Sequence, residues 1–482
     1  MLDKQTIVKR IACAGIWILI FCLNVQGQES NLWKFRILLS DKAATEHSLD
    51  RPEDFLSSKA IERRKRQSLP IDSTDLPVCR LYLNRILEQK VELLCLGKWD
   101  NFVTVASRDS AIVTDLQALP FVRKVICVWK GKSDYGKERC LTRMKLGLPT
   151  DERKTEKRKK IRRKATESPE DTSLYGAGEE QITLCNGHKL HQQGFRGKGM
   201  TIAIIDAGFH NADRMDLRES IAGAHDFVQP ATEDIYAEHE HGMNVLSCMA
   251  ANRPHELVGT APEASYWLLR SEDLYSEQAI EQDFWAAALE FADSIGADVV
   301  NTSLGYTHYD NDLVQLNYTN LDGKTHLMSR QASKAASKGM ILLCSAGNEG
   351  GGSWKKLSIP ADADAILTVG AVDCSGKLGY FSSVGNTYDG RVKPDVVAPG
   401  VQTAVLGMDG TVVRKNGTSF SSPVLCGLIA CLWQAIPDFS AEQIIKLVRN
   451  SGDRAEHPDN IYGYGIPDLW KAYQTAKACK KP

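Results

Sequence analysis

The sequence predicts an α/β chain: a parallel sheet flanked by helices from about Tyr175 to the C-terminus, preceded by a small α+β domain at residues 28–135. Three observations carry that expectation. In the C-terminal part, short apolar strand-like runs alternate with long helical patterns, the rhythm of crossover connections in a parallel sheet. In the N-terminal part, short strand and helix signals follow one another closely. Between them stands a charge run without apolar periodicity, Arg153, Lys154, Lys157, Arg158, Lys159, Lys160, Arg162, Arg163 and Lys164, which reads as a solvated linker over residues 136–175.

Residues 1–27 have the layout of a signal peptide. Lys4, Lys9 and Arg10 precede the apolar run Ile11 to Leu23, and Val25-Gln26-Gly27 follows near a cleavage point. The competing reading of so long an apolar run is a membrane anchor. Cleavage makes the mature protein secreted, periplasmic or cell-surface, with no membrane contact. No other stretch reads as apolar enough to span a bilayer. In the 28–135 domain, Trp33–Leu39, Asn101–Val105 and Phe121–Val128 alternate like half-buried strands, whereas Phe55–Arg63 and Ser110–Leu116 read as helices. The 482 residues are 43% hydrophobic and 25% charged with net charge −1, so overall charge names no partner. The basic run lacks interleaved aromatics and follows a signal peptide, so a nucleic-acid partner is not expected and a protease-sensitive linker fits better. The 13 cysteines are scattered, with no CxxC pair or zinc framework. Cys248, Cys344, Cys426 and Cys431 lie in apolar runs that suit buried thiols.

From Tyr175 onward, strands are expected at Met200–Ile205, Tyr266–Leu269, Asp298–Val300, Ile341–Cys344 and Ile366–Val369. Helices are expected around 276–295, 326–338, 420–435, 440–450 and 467–478, with a further helix signal at His188–Gln193. Three polar residues stand at the borders of these elements. Asp206 closes a near-continuous apolar strand, at the edge where open α/β sheets carry their sites. His241 opens the apolar helix that runs to Ala250. Ser419 precedes the apolar run Val424 to Trp433, with Pro423 expected in the first turn of that helix. A lone serine before a helix is ordinarily an N-cap. A nucleophile also profits from that place, because free N–H groups and the helix dipole favour the oxyanion it creates.

Taken in the order Asp, His, Ser, these stretches resemble the subtilisin-like serine peptidases. The resemblance covers residues 176–478. Ile-Ile-Asp206-Ala-Gly, His241-Gly-Met-Asn-Val and Gly-Thr-Ser419-Phe-Ser-Ser-Pro resemble the motifs of the family's catalytic triad. Asn348 in Ser345-Ala-Gly-Asn-Glu-Gly350 resembles the asparagine that donates to the oxyanion. Asn301-Thr-Ser303-Leu304-Gly305 resembles the segment lining the substrate cleft. Lys393–Gly400 and Tyr462–Asp468 resemble two further motifs. The resemblance implies a doubly wound parallel sheet and a serine endopeptidase that hydrolyses polypeptides without a cofactor. It also makes residues 28–135 a propeptide that assists folding, inhibits the enzyme and is then cut away between about 135 and 175, with self-cleavage favoured over a trypsin-like partner. Calcium often stabilises the family, but the sequence places no ligand set for it.

Two departures concern residues beside the reacting atoms. Met243-Asn244 stands where Thr-His is usual, and Phe420-Ser421 where Met-Ala is usual. His239 is a rival for the base, and Gly242 after His241 favours the latter. His239-Glu-His241 would also suit a metal, but no pattern supplies a third ligand. The Gly-x-Ser-x-Gly elbow of the α/β-hydrolases fails at Ser421, and in those enzymes the serine comes first. A non-catalytic polypeptide-binding protein on the same scaffold is the alternative; retention of all four catalytic residue types argues against it.

Overall fold

The computed structural model describes residues 31–132, 173–230 and 234–479. The expected signal peptide and nearly all of the basic linker lie outside the described residues.

The N-terminal domain runs β1 (Asn31–Leu39), α1 (Ser58–Arg66), α2 (Arg80–Leu87), β2 (Glu92–Gly97), β3 (Phe102–Ser107), α3 (Ile112–Gln117) and β4 (Val122–Lys132). Its strands form an antiparallel sheet in the order β2-β3-β1-β4. Alternation along β1 sends Phe35 and Ile37 into a core with Ile86 of α2 and Leu116 of α3. Arg36 points to the opposite sheet face. There Phe102, Val128 and Trp129 join Trp99 in a cluster with Phe284 and Trp285 of the larger domain.

The larger domain begins with α4 (Glu179–Thr183), α5 (Gly187–Gln192), β5 (Thr201–Asp206), β6 (Ile221–Asp226) and α6 (His241–Ala250). A short ribbon of β7 (Asn252–Arg253) and β8 (Leu257–Val258) leads to β9 (Ser265–Arg270), α7 (Glu281–Ser294), β10 (Val299–Thr302), α8 (Leu327–Lys334), β11 (Ile341–Ser345), β12 (Leu367–Val372) and β13 (Val396–Pro399). A second ribbon, β14 (Thr403–Leu406) with β15 (Val412–Lys415), precedes α9 (Thr418–Ala435), α10 (Ala441–Ser451) and α11 (Leu469–Cys479). The main sheet has seven strands in the order β13-β12-β11-β10-β5-β9-β6, paired in parallel. Side chains of β5 alternate between the two layers. Ile202 and Ile204 pack with α6 and α9 on one face, Ala203 and Ile205 with α7 and α8 on the other. The chain leaves β5 toward β9 and β6, then returns to the other side through β10. The carboxyl ends of β5 and β10 therefore meet at a topological switch point, the place where such sheets hold their sites.

Several expected boundaries shift for physical reasons. The helix expected from 276 begins at Glu281, because β4 holds the preceding stretch: Ile280 N–H donates to the Val128 carbonyl at 3.1 Å and Trp129 Nε1 to Ser276 Oγ at 3.2 Å. The helix expected over 326–338 tightens into a 3-10 turn at Ala336–Lys338 before Gly339, whose φ of 82° ends it. The strands β2, β6, β7, β8, β13, β14 and β15 and the helices α2 and α4 have no counterpart among the elements expected from sequence. Helix α9 corrects two expectations. It is long and apolar enough to cross a membrane, yet 89% of it is buried inside the fold, where it is the central core helix. It also starts at Thr418, so Pro423 lies beyond its first turn. Pro423 has no N–H for the carbonyl of Ser419, four residues before it. Ser303 Oγ takes that carbonyl instead, at 2.9 Å.

Candidate active site

Asp206 is fully buried at the end of β5. Its Oδ1 accepts from Ala207 N–H at 2.8 Å and meets His241 Nδ1 at 2.7 Å, whereas Oδ2 has no hydrogen-bond partner among the described residues. His241 reaches this position because it is the first residue of α6 and Gly242 seats the helix directly on the loop after β5. Gly242 N–H donates to the Gly208 carbonyl at 2.9 Å, and a Cβ on Gly242 would lie 2.5 Å from that oxygen. The glycine after the histidine is thus a steric requirement.

The imidazole environment favours charge. Burial alone would lower the pKa of His241. The charge and hydrogen bond of Asp206, with the nearby Glu272, outweigh it and raise the pKa above its ordinary value. Burial, Glu277 and Asp206 push the Glu272 carboxyl itself up to about 8. Phe420 sets its ring 5.9 Å from that of His241, so the residue replacing the usual methionine packs on the imidazole.

Ser419 occupies the first turn of α9 and is 8% exposed. Its hydroxyl donates to the Ser303 carbonyl at 3.4 Å, its one partner among the described residues. That bond is long and weak. Hydrogen bonds of catalytic side chains are often long in the absence of substrate. Asn348 lies in the loop after β11 and is exposed. Its Oδ1 accepts from Thr418 N–H at 2.9 Å and from Thr418 Oγ1 at 3.0 Å. A backbone N–H only donates, so these bonds fix the amide: oxygen toward Thr418, nitrogen away from it. The Asn348 NH₂ is thereby left to donate in the cleft.

Ser303 and Leu304, just past β10, are buried, and Gly305 is exposed. A Cβ on Gly305 would lie 2.2 Å from Ser358 Oγ, and one on Gly347 would lie 3.0 Å from the same atom. Ser358 therefore lies between the 303–305 segment and the loop that carries Asn348. Nothing in the sequence around Ser358 marked it, since only the fold brings it there.

The structure thus brings Asp206 and His241 into contact, joins Ser303 to Ser419 by hydrogen bonds, and bonds Asn348 to Thr418, the residue before Ser419. His239 does not reach Asp206; its Nδ1 accepts from His241 N–H at 3.2 Å. The four cysteines expected in apolar runs are buried and free, their thiols pushed up by burial. Among the described residues, no group of three or more His, Cys, Asp or Glu side chains is placed to hold a metal ion.

The chain matches known proteins in two parts. Residues 197–465 match the subtilase family of peptidase S8, and residues 34–139 match the peptidase S8 propeptide domain of Bacteroidota. Subtilisin NAT of Bacillus subtilis subsp. natto is 30% identical over 286 residues, 59% of this chain and 68% of its own. Subtilisin DY of Bacillus licheniformis is 30% identical over 296 residues, 61% of this chain and 97% of its own. Serine protease AprX of Bacillus subtilis strain 168 is 28% identical over 327 residues, 61% of this chain and 69% of its own.

Proposed function

Because the chain belongs to the subtilase family and carries that family's propeptide domain, we propose that Asp206, His241 and Ser419 are its catalytic triad and Asn348 its oxyanion donor. It is a serine-type endopeptidase, and polypeptides are its substrates. The single observation supporting the residue roles best is the 2.7 Å contact of Asp206 with His241 Nδ1, which leaves Nε2 for the nucleophile.

Ser419 Oγ attacks the scissile carbonyl while His241 Nε2 takes its proton. Asp206 holds the imidazole in the required tautomer and stabilises the imidazolium. The tetrahedral oxyanion is met by the Asn348 amide and by the backbone N–H of Ser419, in the first turn of a helix where N–H groups lack an intrahelical partner. His241 then protonates the leaving amine, and water releases the acyl group by the same route. The acyl-side backbone lies along Ser303, Leu304 and Gly305, with the residue before the cleaved bond above Ser358.

Secretion and maturation belong to the same reading. Residues 1–27 direct export, and a cut between about 135 and 175 separates the N-terminal domain, which inhibits the mature enzyme. Ser419→Ala in a chain expressed from residue 28 tests the core of the proposal. Turnover on casein falls on the order of 10⁴-fold or more, the magnitude of triad removal in subtilisin, a relative. A fluorophosphonate labels Ser419 alone. Casein cleavage near the wild-type rate in the purified variant would reject the assignment.

A further inference from the structure

Two histidines compete in the sequence for one role, and the one that does not meet Asp206 makes a specific contact of its own. His239 Nδ1 accepts the backbone N–H of His241 at 3.2 Å. A backbone N–H can only donate, so His239 is neutral and carries its proton on Nε2. The N–H it takes opens α6 and is one of the donors a helix start leaves without an intrahelical partner. Glu240, at the N-cap position, makes no side-chain cap bond, so His239 supplies the acceptor that Ser, Thr, Asp or Asn supplies elsewhere.

His239 is itself fixed to the loop after β5. Its carbonyl accepts from His210 N–H at 3.1 Å, and a Cβ on Gly208 would lie 2.5 Å from its backbone nitrogen. The loop that begins at Asp206 thus grips His239, and His239 grips the first residue of α6. We propose that His239 is a positioning residue: its neutral Nδ1 fixes the start of α6 so that the His241 imidazole stays aligned with Asp206.

The charged and titratable groups facing His239 are His241, Asp206, Glu240 and, from β15, Lys415, which pairs with Glu240 at 2.8 Å. Burial and His241 hold the His239 pKa below its ordinary value; Asp206 and Glu240 pull the other way. His239 is therefore neutral wherever His241 is. Further acid places a proton on Nδ1, which then faces an N–H instead of accepting from it.

The inference rests on His241 as the base, and the test separates the two. kcat is measured per titrated active site for the wild type, His239→Ala, His239→Asn and His241→Ala. His239→Ala loses roughly tenfold in kcat with KM little changed, the scale of a lost helix cap. His239→Asn, whose amide oxygen accepts the same N–H, recovers to within about threefold of wild type. The acid limb of log kcat/KM in the wild type steepens from a slope of one toward two as His239 protonates, whereas His239→Asn keeps a slope of one. Wild-type kcat in His239→Ala, no recovery in His239→Asn, or an unchanged slope of one in the wild type would each overturn the positioning role. Should His239→Ala fail to fold, the two acid limbs still decide. Full activity in His241→Ala would instead overturn the base assignment.

Discussion

Asn348 presents its oxygen inward and its nitrogen to the cleft, and that orientation decides what its removal does. As the proposed oxyanion donor it would meet a charge that exists only during reaction, so its loss should appear in turnover and not in substrate affinity. Asn348→Ala is expected to lower kcat by roughly 10²–10³ with KM little changed, the effect known for the equivalent asparagine of subtilisin, a relative. A raised KM with unaltered kcat would exclude it from the oxyanion site. As the proposed base, His241 would set the pH response. Its pKa is raised by Asp206 and Glu272, and it acts as a base only when neutral. Activity should therefore fall with acid through a midpoint above the ordinary histidine value of about 6.5. Stability has the opposite sign: the protonated pair stabilises the fold at low pH, and that contribution is lost as pH rises through the folded pKa. A kcat/KM profile with its acid midpoint well below 6 would contradict the coupling.

Helix α7 shows why some of the structure was legible in the sequence and some was not. Asp206, His241 and Ser419 stand at borders between apolar runs and turns, so local pattern reveals them. The pairings of α7 with Arg36, Arg63, Arg64 and Thr104 span between 179 and 247 positions and leave no local trace. Arg36 meets Asp283 at 2.5 Å with the carboxylate fully buried, and Thr104 Oγ1 adds a bond at 2.6 Å. Arg63 and Arg64 of α1 are buried against Asp293 in the last turn of α7. There they also bond the carbonyls of Ala297 and Lys338. A carboxylate at a helix C-terminus opposes the dipole, so Asp293 depends on those guanidinium groups. Gln67 adds a link to the next layer, its Oε1 accepting from Ala441 N–H at 2.8 Å at the start of α10. Removing one partner of such a pair leaves a buried charge. Arg36→Ala should cost the full-length chain about 3–5 kcal/mol. Calorimetry in the Ser419→Ala background, where self-digestion cannot interfere, would show the lowered melting temperature; an unchanged one would mean that Asp283 is reached by water.

At the scale of the molecule, the N-terminal domain completes the core of the larger one. Phe102, Val128 and Trp129 share a cluster with Phe284 and Trp285, and Glu290 accepts the backbone N–H groups of Lys98 and Trp99 at 2.5 and 2.9 Å. A chain beginning at residue 173 should fold slowly and in low yield, and residues 28–135 supplied in trans should restore it. Equal refolding with and without the added domain would argue that it is dispensable. In the full chain, N-terminal sequencing of the active form is expected to find a start between about 135 and 175, and Ser419→Ala expressed alone to remain uncut. An active enzyme still beginning near Gln28 would make the first domain a permanent part of the protein.

Helix α9 carries one more consequence. It passes through the interior with Ser419 in its first turn, while the groups proposed to serve Ser419 come from the segment after β10, the loop after β11 and α6. None of these segments is near another in sequence, and they converge only when the core has closed around α9. A half-folded chain therefore has a serine but no enzyme. The same burial that stabilises the fold acts as a safety interlock, keeping proteolysis silent until assembly is finished.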